Sequence, residues 1–159
     1  MAPIVFTIEI ALPPTGVFAY VTDVLRFPEW QKDVVGVRMV DGQPPRVGAR
    51  FTTTRRIGRA ERTMTQQITE IDPSRRWAAR GVDGPVRPHA AVTVEPCGDG
   101  TRSRITLALD YEGHGIGVPL LPLVRRQTRA GAPISLGNLK KRLEGAGSDG
   151  EPGAPSDRS

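Results

Sequence analysis

Residues 101–127, TRSRITLALDYEGHGIGVPLLPLVRRQ, change their hydrophobic period part-way through. Up to Tyr111 the residues alternate. Ile105, Leu107, Leu109 and Tyr111 fall on one side and Arg104, Thr106 and Asp110 on the other, the pattern of a half-buried strand. Beyond the glycines, Leu120, Leu123, Val124, Gln127, Ile134, Leu136, Leu139 and Leu143 recur at mixed spacings of three and four. That is the period of a long amphipathic helix, with breaks or kinks expected at Pro122, Gly131 and Pro133. Gly113, Gly115 and Gly117 lie between the two patterns. They suit a chain that reverses from a sheet into a helix crossing its face, and a positive φ is expected at one or more of them.

Upstream, the same period of two repeats in short segments. Ile4, Phe6, Ile8 and Ile10 alternate in the first strand, which LPPT ends. Pro14 suits the first turn of a short helix presenting Val17, Phe18 and Val21. Thr22-Asp23 can cap a second one, VLRFPEWQ, interrupted by Pro28. Six strands then follow, joined by short turns, so neighbours are expected to pair antiparallel. Their apolar phases run through Val35, Val37 and Met39; Phe51, Thr53, Arg55 and Ile57; Met64, Gln66 and Ile68; Trp77, Ala79 and Gly81; Ala90, Val92 and Val94; and the strand of residues 101–113. The order is strand, two short helices, six strands, long helix. This is an α+β domain in which only the long helix can cover the apolar face of a sheet of about seven strands.

The bulk properties agree with one domain. The chain has 159 residues, is 38% hydrophobic and carries a net charge of +5. From Gly145 the sequence GAGSDGEPGAPSDRS has no large aliphatic side chain, so residues 1–144 read as the domain and 145–159 as a disordered tail. Residues 148–159 hold Asp149, Glu151 and Asp157 against Arg158, which leaves the remainder more basic, about +7. Aromatics are 5% of the chain and no nucleic-acid motif is present, so the charge favours acidic partners or transient contact with a membrane surface over nucleic acid. The N-terminus lacks a charged leader with a cleavage site, and no apolar run reaches membrane-spanning length. The chain is expected in the cytoplasm.

The glycine-rich stretch excludes two cofactor chemistries. A phosphate-cradling loop needs a lysine followed by serine or threonine, and a dinucleotide fingerprint needs a parallel βαβ unit; neither is present. Cys97 is the only cysteine and has no metal-ligand partner nearby, so no metal site and no cofactor are expected. His114 has the side chain for proton transfer at neutral pH, with Glu112 as a sequence neighbour, and stands as a catalytic candidate beside Tyr111 and Arg55.

Four stretches together resemble a known family: PPTGVFAYVTDVLRFPEWQ, RVGARF, ITEIDPSRRWAARG and YEGHGIGVPLLPLVRRQ. They are similar to the opening, the turn into the third strand, the central strand pair and the final strand-to-helix junction of the START-like polyketide cyclase/dehydrase and lipid-transport superfamily (SRPBCC). The likeness covers nearly all of residues 4–144. It implies a helix-grip fold, in which a curved antiparallel sheet wraps the C-terminal helix around a hydrophobic cavity.

In such a fold the in-facing residues either interdigitate as core or line the cavity. The sheet offers Val37, Phe51, Met64, Gln66, Trp77, Val92, Leu107, Leu109 and Tyr111. The helix offers Leu120, Leu123, Val124 and Gln127. Phe27 and Trp30 form a plug over one end, with Trp30 at the entrance. Arg55 or Arg62 either anchors an acidic or carbonyl-bearing ligand or is solvated. Besides an interaction module that uses the basic outer face and tail more than the pocket, two functions are compatible with this pattern. One is a carrier or sensor of a small hydrophobic molecule such as a lipid, isoprenoid or aromatic polyketide. The alternative is a polyketide cyclase, aromatase or dehydratase using the same cavity.

Overall fold

The structure, a computed structural model, describes residues 2–42 and 44–150. Strand β1 (Ile4–Ile10) is followed by helix α1 (Pro14–Val21), a tight helical turn (Val24–Arg26) and helix α2 (Phe27–Trp30). Strands β2 (Val34–Met39), β3 (Arg50–Ile57), β4 (Ala60–Asp72), β5 (Arg76–Gly81), β6 (Val86–Cys97) and β7 (Arg102–Gly113) come next. A second tight turn (Gly115–Leu120) leads into helix α3 (Leu121–Gly150). The seven strands form one antiparallel sheet in the order β1-β7-β6-β5-β4-β3-β2. This is the α+β arrangement that the periodicities predict.

The topology puts β1 and β2 at opposite edges. Residues 11–33 must therefore cross the whole width of the sheet, and α1 and α2 do so, closing one end of its concave side. Local chemistry fixes their ends. Pro14 occupies the first turn of α1, where its missing N–H is not needed. The Asp23 side chain accepts from the Leu25 N–H at 3.2 Å and starts the tight turn.

Register lays one apolar row across the concave face. Phe6 pairs with Leu107, Leu107 with Val92, Val92 with Trp77 and Trp77 with Ile71. Further along, α3 drives Leu136, Leu139 and Leu143 into the main core with Ile10, Val17, Val21, Val94 and Ile105. At its other end Val124 joins a second, smaller cluster with Ile57, Met64 and Val86.

Helix α3 is one element, without the breaks expected at Pro122, Gly131 and Pro133. Pro122 lies in the first turn, where no N–H donor is required, and Pro133 is on the exposed side, where the carbonyl left without its N–H can turn to water. The tail expected over 145–159 overlaps the last residues of this helix, and from 151 onward it lies outside the described residues.

The junction between sheet and helix needs its glycines for two reasons. Gly115 has φ +58°, the left-handed conformation expected of at least one of them. The other two are glycine because there is no space. A Cβ on Gly113 would stand 2.8 Å from Val118 Cα, and one on Gly117 would run into the Pro85 carbonyl. That carbonyl also accepts from the His114 N–H at 2.8 Å, tying the junction to the β5–β6 turn. Gly117→Ala is expected to lower unfolding free energy by about 1–3 kcal/mol through backbone displacement. Gly137→Ala, in α3 with nothing within 4 Å of the new Cβ, is expected to raise it by about 0.5–1 kcal/mol. Urea denaturation of the two variants checks this, and equal effects would contradict it.

Candidate ligand cavity

Midway along α3 the inward residues become small. Thr128, Gly131, Ala132 and Ser135 occupy the stretch between Val124 on one side and Leu136, Leu139 and Leu143 on the other. Side chains this short leave the space to the sheet unfilled, Thr128 meeting it only at the end of the long Tyr111 side chain, and a cavity of about 100 Å³ remains. That is several times the roughly 10–15 Å³ one water needs. It is less than the roughly 300–1,000 Å³ of sites for drug-sized ligands, so anything bulkier than a small ring requires the walls to give.

The walls differ in character. Trp77, Ala90, Val92, Leu107 and Leu109 from β5, β6 and β7 make an apolar wall, which Val21, Phe27 and Trp30 extend. The polar part of the lining is Gln31, Asp33, Arg55, Gln66, Gln127 and Thr128, with Tyr111 next to Leu109 on the same face of β7. Phe27 anchors the aromatic corner, edge-on to Trp30, Phe51 and Trp77 at centroid separations of 6.0, 6.3 and 6.1 Å. The indole N–H groups of Trp30 and Trp77 are buried without a hydrogen-bond partner among the described residues, at a cost of about 1–3 kcal/mol each.

Arg55 dominates the polar part. Its guanidinium donates to Gln31 Oε1 at 2.6 Å, and the half-buried side chain lines the cavity. Burial pulls its pKa below the usual arginine range, while Tyr111 and Asp33 pull the other way. Asp33 is occupied elsewhere, with Lys32 Nζ at 3.8 Å and Gln127 Nε2 at 3.3 Å. The Thr128 hydroxyl donates to the Val124 carbonyl at 3.0 Å, so the 2.6 Å contact between Tyr111 and Thr128 has the phenol as donor. Gln66 accepts from Thr53 at 3.0 Å. Gln127 is fully used as a splint: it accepts from the Gly58 N–H at 3.0 Å and donates to the Arg56 carbonyl at 2.6 Å, joining the β3–β4 turn to α3.

The cavity brings together Trp30, Arg55, Met64, Gln66, Trp77, Val92, Leu107, Leu109, Tyr111, Val124 and Gln127 from the sequence-derived set. Four others lie outside it. Phe51 is fully buried behind Phe27 and Trp77, and Val37 packs against the main core. Leu120 packs on the second cluster, and Leu123 is 42% exposed because the inward face of α3 passes through Val124 instead. Trp30 is buried within the plug rather than standing at an open entrance. Arg62 is exposed outside the cavity. His114 is also remote from it; His114 and His89 each place Nε2 3.3 Å from the exposed Glu112 carboxylate.

Sequence reasoning missed Gln31, Asp33, Pro88, Thr128, Gly131, Ala132 and Ser135. A signal was available for the last four: the small residues recur on one face of α3, at spacings of three, one and three. No pattern marks Gln31 or Asp33, which follow α2 in irregular chain.

The plug is fastened to α3 by polar contacts. Asn138 donates to the Trp30 carbonyl at 3.3 Å, Arg142 to the Glu29 carbonyl at 2.9 Å, and the Lys32 N–H to Ser135 Oγ at 3.0 Å. Tyr20 closes the other side, donating to Glu29 at 2.7 Å.

A family model described as "Polyketide cyclase / dehydrase and lipid transport" matches residues 1–144. No curated protein matches the chain. Among solved structures, a START superfamily protein from Mycobacterium smegmatis superposes with a TM-score of 0.74 at 16% identity, over 92% of this chain and 99% of that one. The Zhui aromatase/cyclase from Streptomyces sp. R1128 gives 0.73 at 15% identity, over 91% and 97%. The di-domain ARO/CYC BexL of the BE-7585A biosynthetic pathway gives 0.69 at 21% identity, and there the match covers 91% of this chain but 47% of the larger protein. At these identities the superpositions establish the fold alone.

The plug contact has a measurable signature. Burial, and then the hydrogen bond to Glu29, push the Tyr20 phenol up to about 12 from 10.0. A raised phenol pKa means that this contact contributes fully below pH 10 and is lost as pH climbs from 10 through 12. Ultraviolet difference titration of the native protein against Tyr20→Phe should show the missing phenolate forming near pH 12. Ionisation near pH 10 would show the contact to be open in solution.

Proposed function

The chain belongs to the polyketide cyclase / dehydrase and lipid transport family, and on that premise we propose that it binds a small hydrophobic molecule in the cavity between sheet and α3, as a carrier or sensor. The ligand combines an apolar body, a small ring or, where the walls give, a larger ring system or short isoprenoid, with at least one carbonyl or carboxylate oxygen. The body packs against Trp77, Val92 and Leu107, and the oxygen accepts from Arg55. The reading is carried by the half-buried guanidinium lining the cavity, whose hydrogen-bond partner among the described residues is the neutral Gln31. A guanidinium has five N–H donors, and leaving them unmet away from bulk water is costly. An acceptor arriving in the cavity would offset part of that cost.

A second reading has its own support. Tyr111 and Arg55 line the same space, so an oxygen-rich chain held there would meet the Arg55 N–H groups as donors. Because the phenol proton is given to Thr128, it would meet the Tyr111 oxygen as an acceptor for an enol or hydroxyl. The two contacts would orient it as an aromatase or cyclase requires. Carriage and catalysis part at one point: a carrier returns its ligand unchanged, whereas a cyclase releases a different compound from the one added.

Thermal denaturation against a panel of aromatic polyketide-like and isoprenoid compounds tests the proposal. A ligand at about a hundred times its Kd adds about 2.7 kcal/mol, a shift of very roughly 5–11 °C for a domain of this size. Arg55→Met is expected to leave the unliganded protein as stable or more so, since a poorly paired, half-buried charge is removed. The same substitution should weaken oxygen-bearing ligands by about tenfold or more while sparing their hydrocarbon analogues. Equal loss for both kinds of ligand would overturn the role given to Arg55, and no shift with any compound would overturn the binding reading itself.

A further inference from the structure

We infer that the outward face of α3, with the tight turn before it, docks on an anionic lipid bilayer. Large aliphatic side chains stand free there. Ile116 is 74% exposed and Val118 54% in the turn, and Leu123 and Ile134 are 42% and 51% exposed on the helix. Leu123 and Ile134 are eleven residues apart, which is three helical turns and the same face. Arg126, Arg129 and Lys141 are exposed on the same outer side, and none makes an ion pair among the described residues. From Leu121 to Leu143 the helix contains no aspartate or glutamate. The pinning of the β3–β4 turn to Gln127 adds the exposed Arg59 to this end of the molecule.

The acidic groups nearest this end are few. Glu61 pairs with Arg56 at 3.2 Å, Glu112 lies 3.3 Å from both His89 and His114, and the exposed Asp83 of the β5–β6 turn is outnumbered by Arg59, Arg126, Arg129 and Lys141. What remains is cationic with protruding aliphatics, the composition that lets a helix lie in a lipid headgroup layer. Branched aliphatic side chains have no role against a nucleic-acid backbone. A second copy of the chain docking symmetrically on this face would bring Arg126, Arg129 and Lys141 against their own counterparts, a like-charge contact that association avoids. Anionic headgroups meet both requirements at once. Val124, on the inner side of the same helical turn, lines the cavity, so the docked face would lie over one end of it. The inference stands on the surface alone and does not depend on what the cavity holds.

Flotation of the full chain with vesicles tests it, using phosphatidylcholine alone and phosphatidylcholine with about one-third phosphatidylglycerol. Co-flotation is expected with the anionic vesicles and should weaken as salt rises from about 0.05 M to about 0.5 M. Partitioning should fall by about tenfold or more for Arg126→Glu with Arg129→Glu, and likewise for Ile116→Ser with Val118→Ser. The exposure of these side chains predicts melting temperatures close to that of the native protein; should the second pair not melt so, Leu123→Ser replaces it. No co-flotation, equal binding to neutral vesicles, or unaltered binding by the variants would each overturn the inference. So would a dimer in sedimentation that Ile116→Ser with Val118→Ser converts to monomer, which would assign the face to a second copy.

Discussion

Everything in this molecule depends on how far α3 stands from the concave side of the sheet. The helix is wedged at both ends, by Leu136, Leu139 and Leu143 in the main core and by Val124 in the second cluster. Between these wedges Thr128, Gly131, Ala132 and Ser135 are too short to close the distance. Close-packed interiors ordinarily collapse around such a deficit, because unfilled space forfeits dispersion contacts. Here a register-locked sheet and a helix fixed at both ends cannot both move in, so the deficit persists as a cavity. Curvature and closure follow from the same geometry, since α1 and α2 must span from one edge strand to the other and come to rest as the plug.

The second consequence concerns polarity. A fully meshed core has no use for a guanidinium, a phenol and several amides on its in-facing positions. In this fold they collect in the lining of the cavity, where neighbours satisfy them locally: Tyr111 through Thr128, Gln66 through Thr53, Gln127 through two backbone groups. Arg55 is the exception, with Gln31 as its hydrogen-bond partner and a lowered pKa caused by burial. Stability alone does not account for retaining such a group inside a domain of marginal stability. The proposed ligand does, and it explains why the rest of the lining is aromatic and aliphatic.

Most of the fold was legible in the sequence because it is written in two periods. Alternation identified every strand and the inward phase of Met64, Trp77, Val92 and Leu107, and the change of period after Tyr111 identified the closing helix. In β2, though, a bulge between Val34 and Gly36 buries Val34 and leaves Val35 exposed. The cavity was legible on the sheet side and poorly so on the helix side. Phe51 shares the phase of its neighbours, and only the packing of Phe27 and Trp77 over it makes it core. Leu123 is as hydrophobic as its inward neighbours yet lies off the inner face, which is defined by the small residues of α3. The partners of Arg55 were invisible, since Gln31 and Asp33 sit in irregular chain that only the topology brings to β3. His114 attracted notice through its glycines, and those serve the close approach of the junction to Pro85.

The central claim, that the space between sheet and helix is real, can be tested by filling it. Ala90 lies on the apolar wall of the cavity and faces α3 across it. Replacing it by leucine adds three carbons where the account has room for them. Urea denaturation of Ala90→Leu should give a stability equal to or above that of the native protein. A loss of about 1–3 kcal/mol, the usual consequence of forcing extra methylenes into a meshed core, would mean that there is no space to fill.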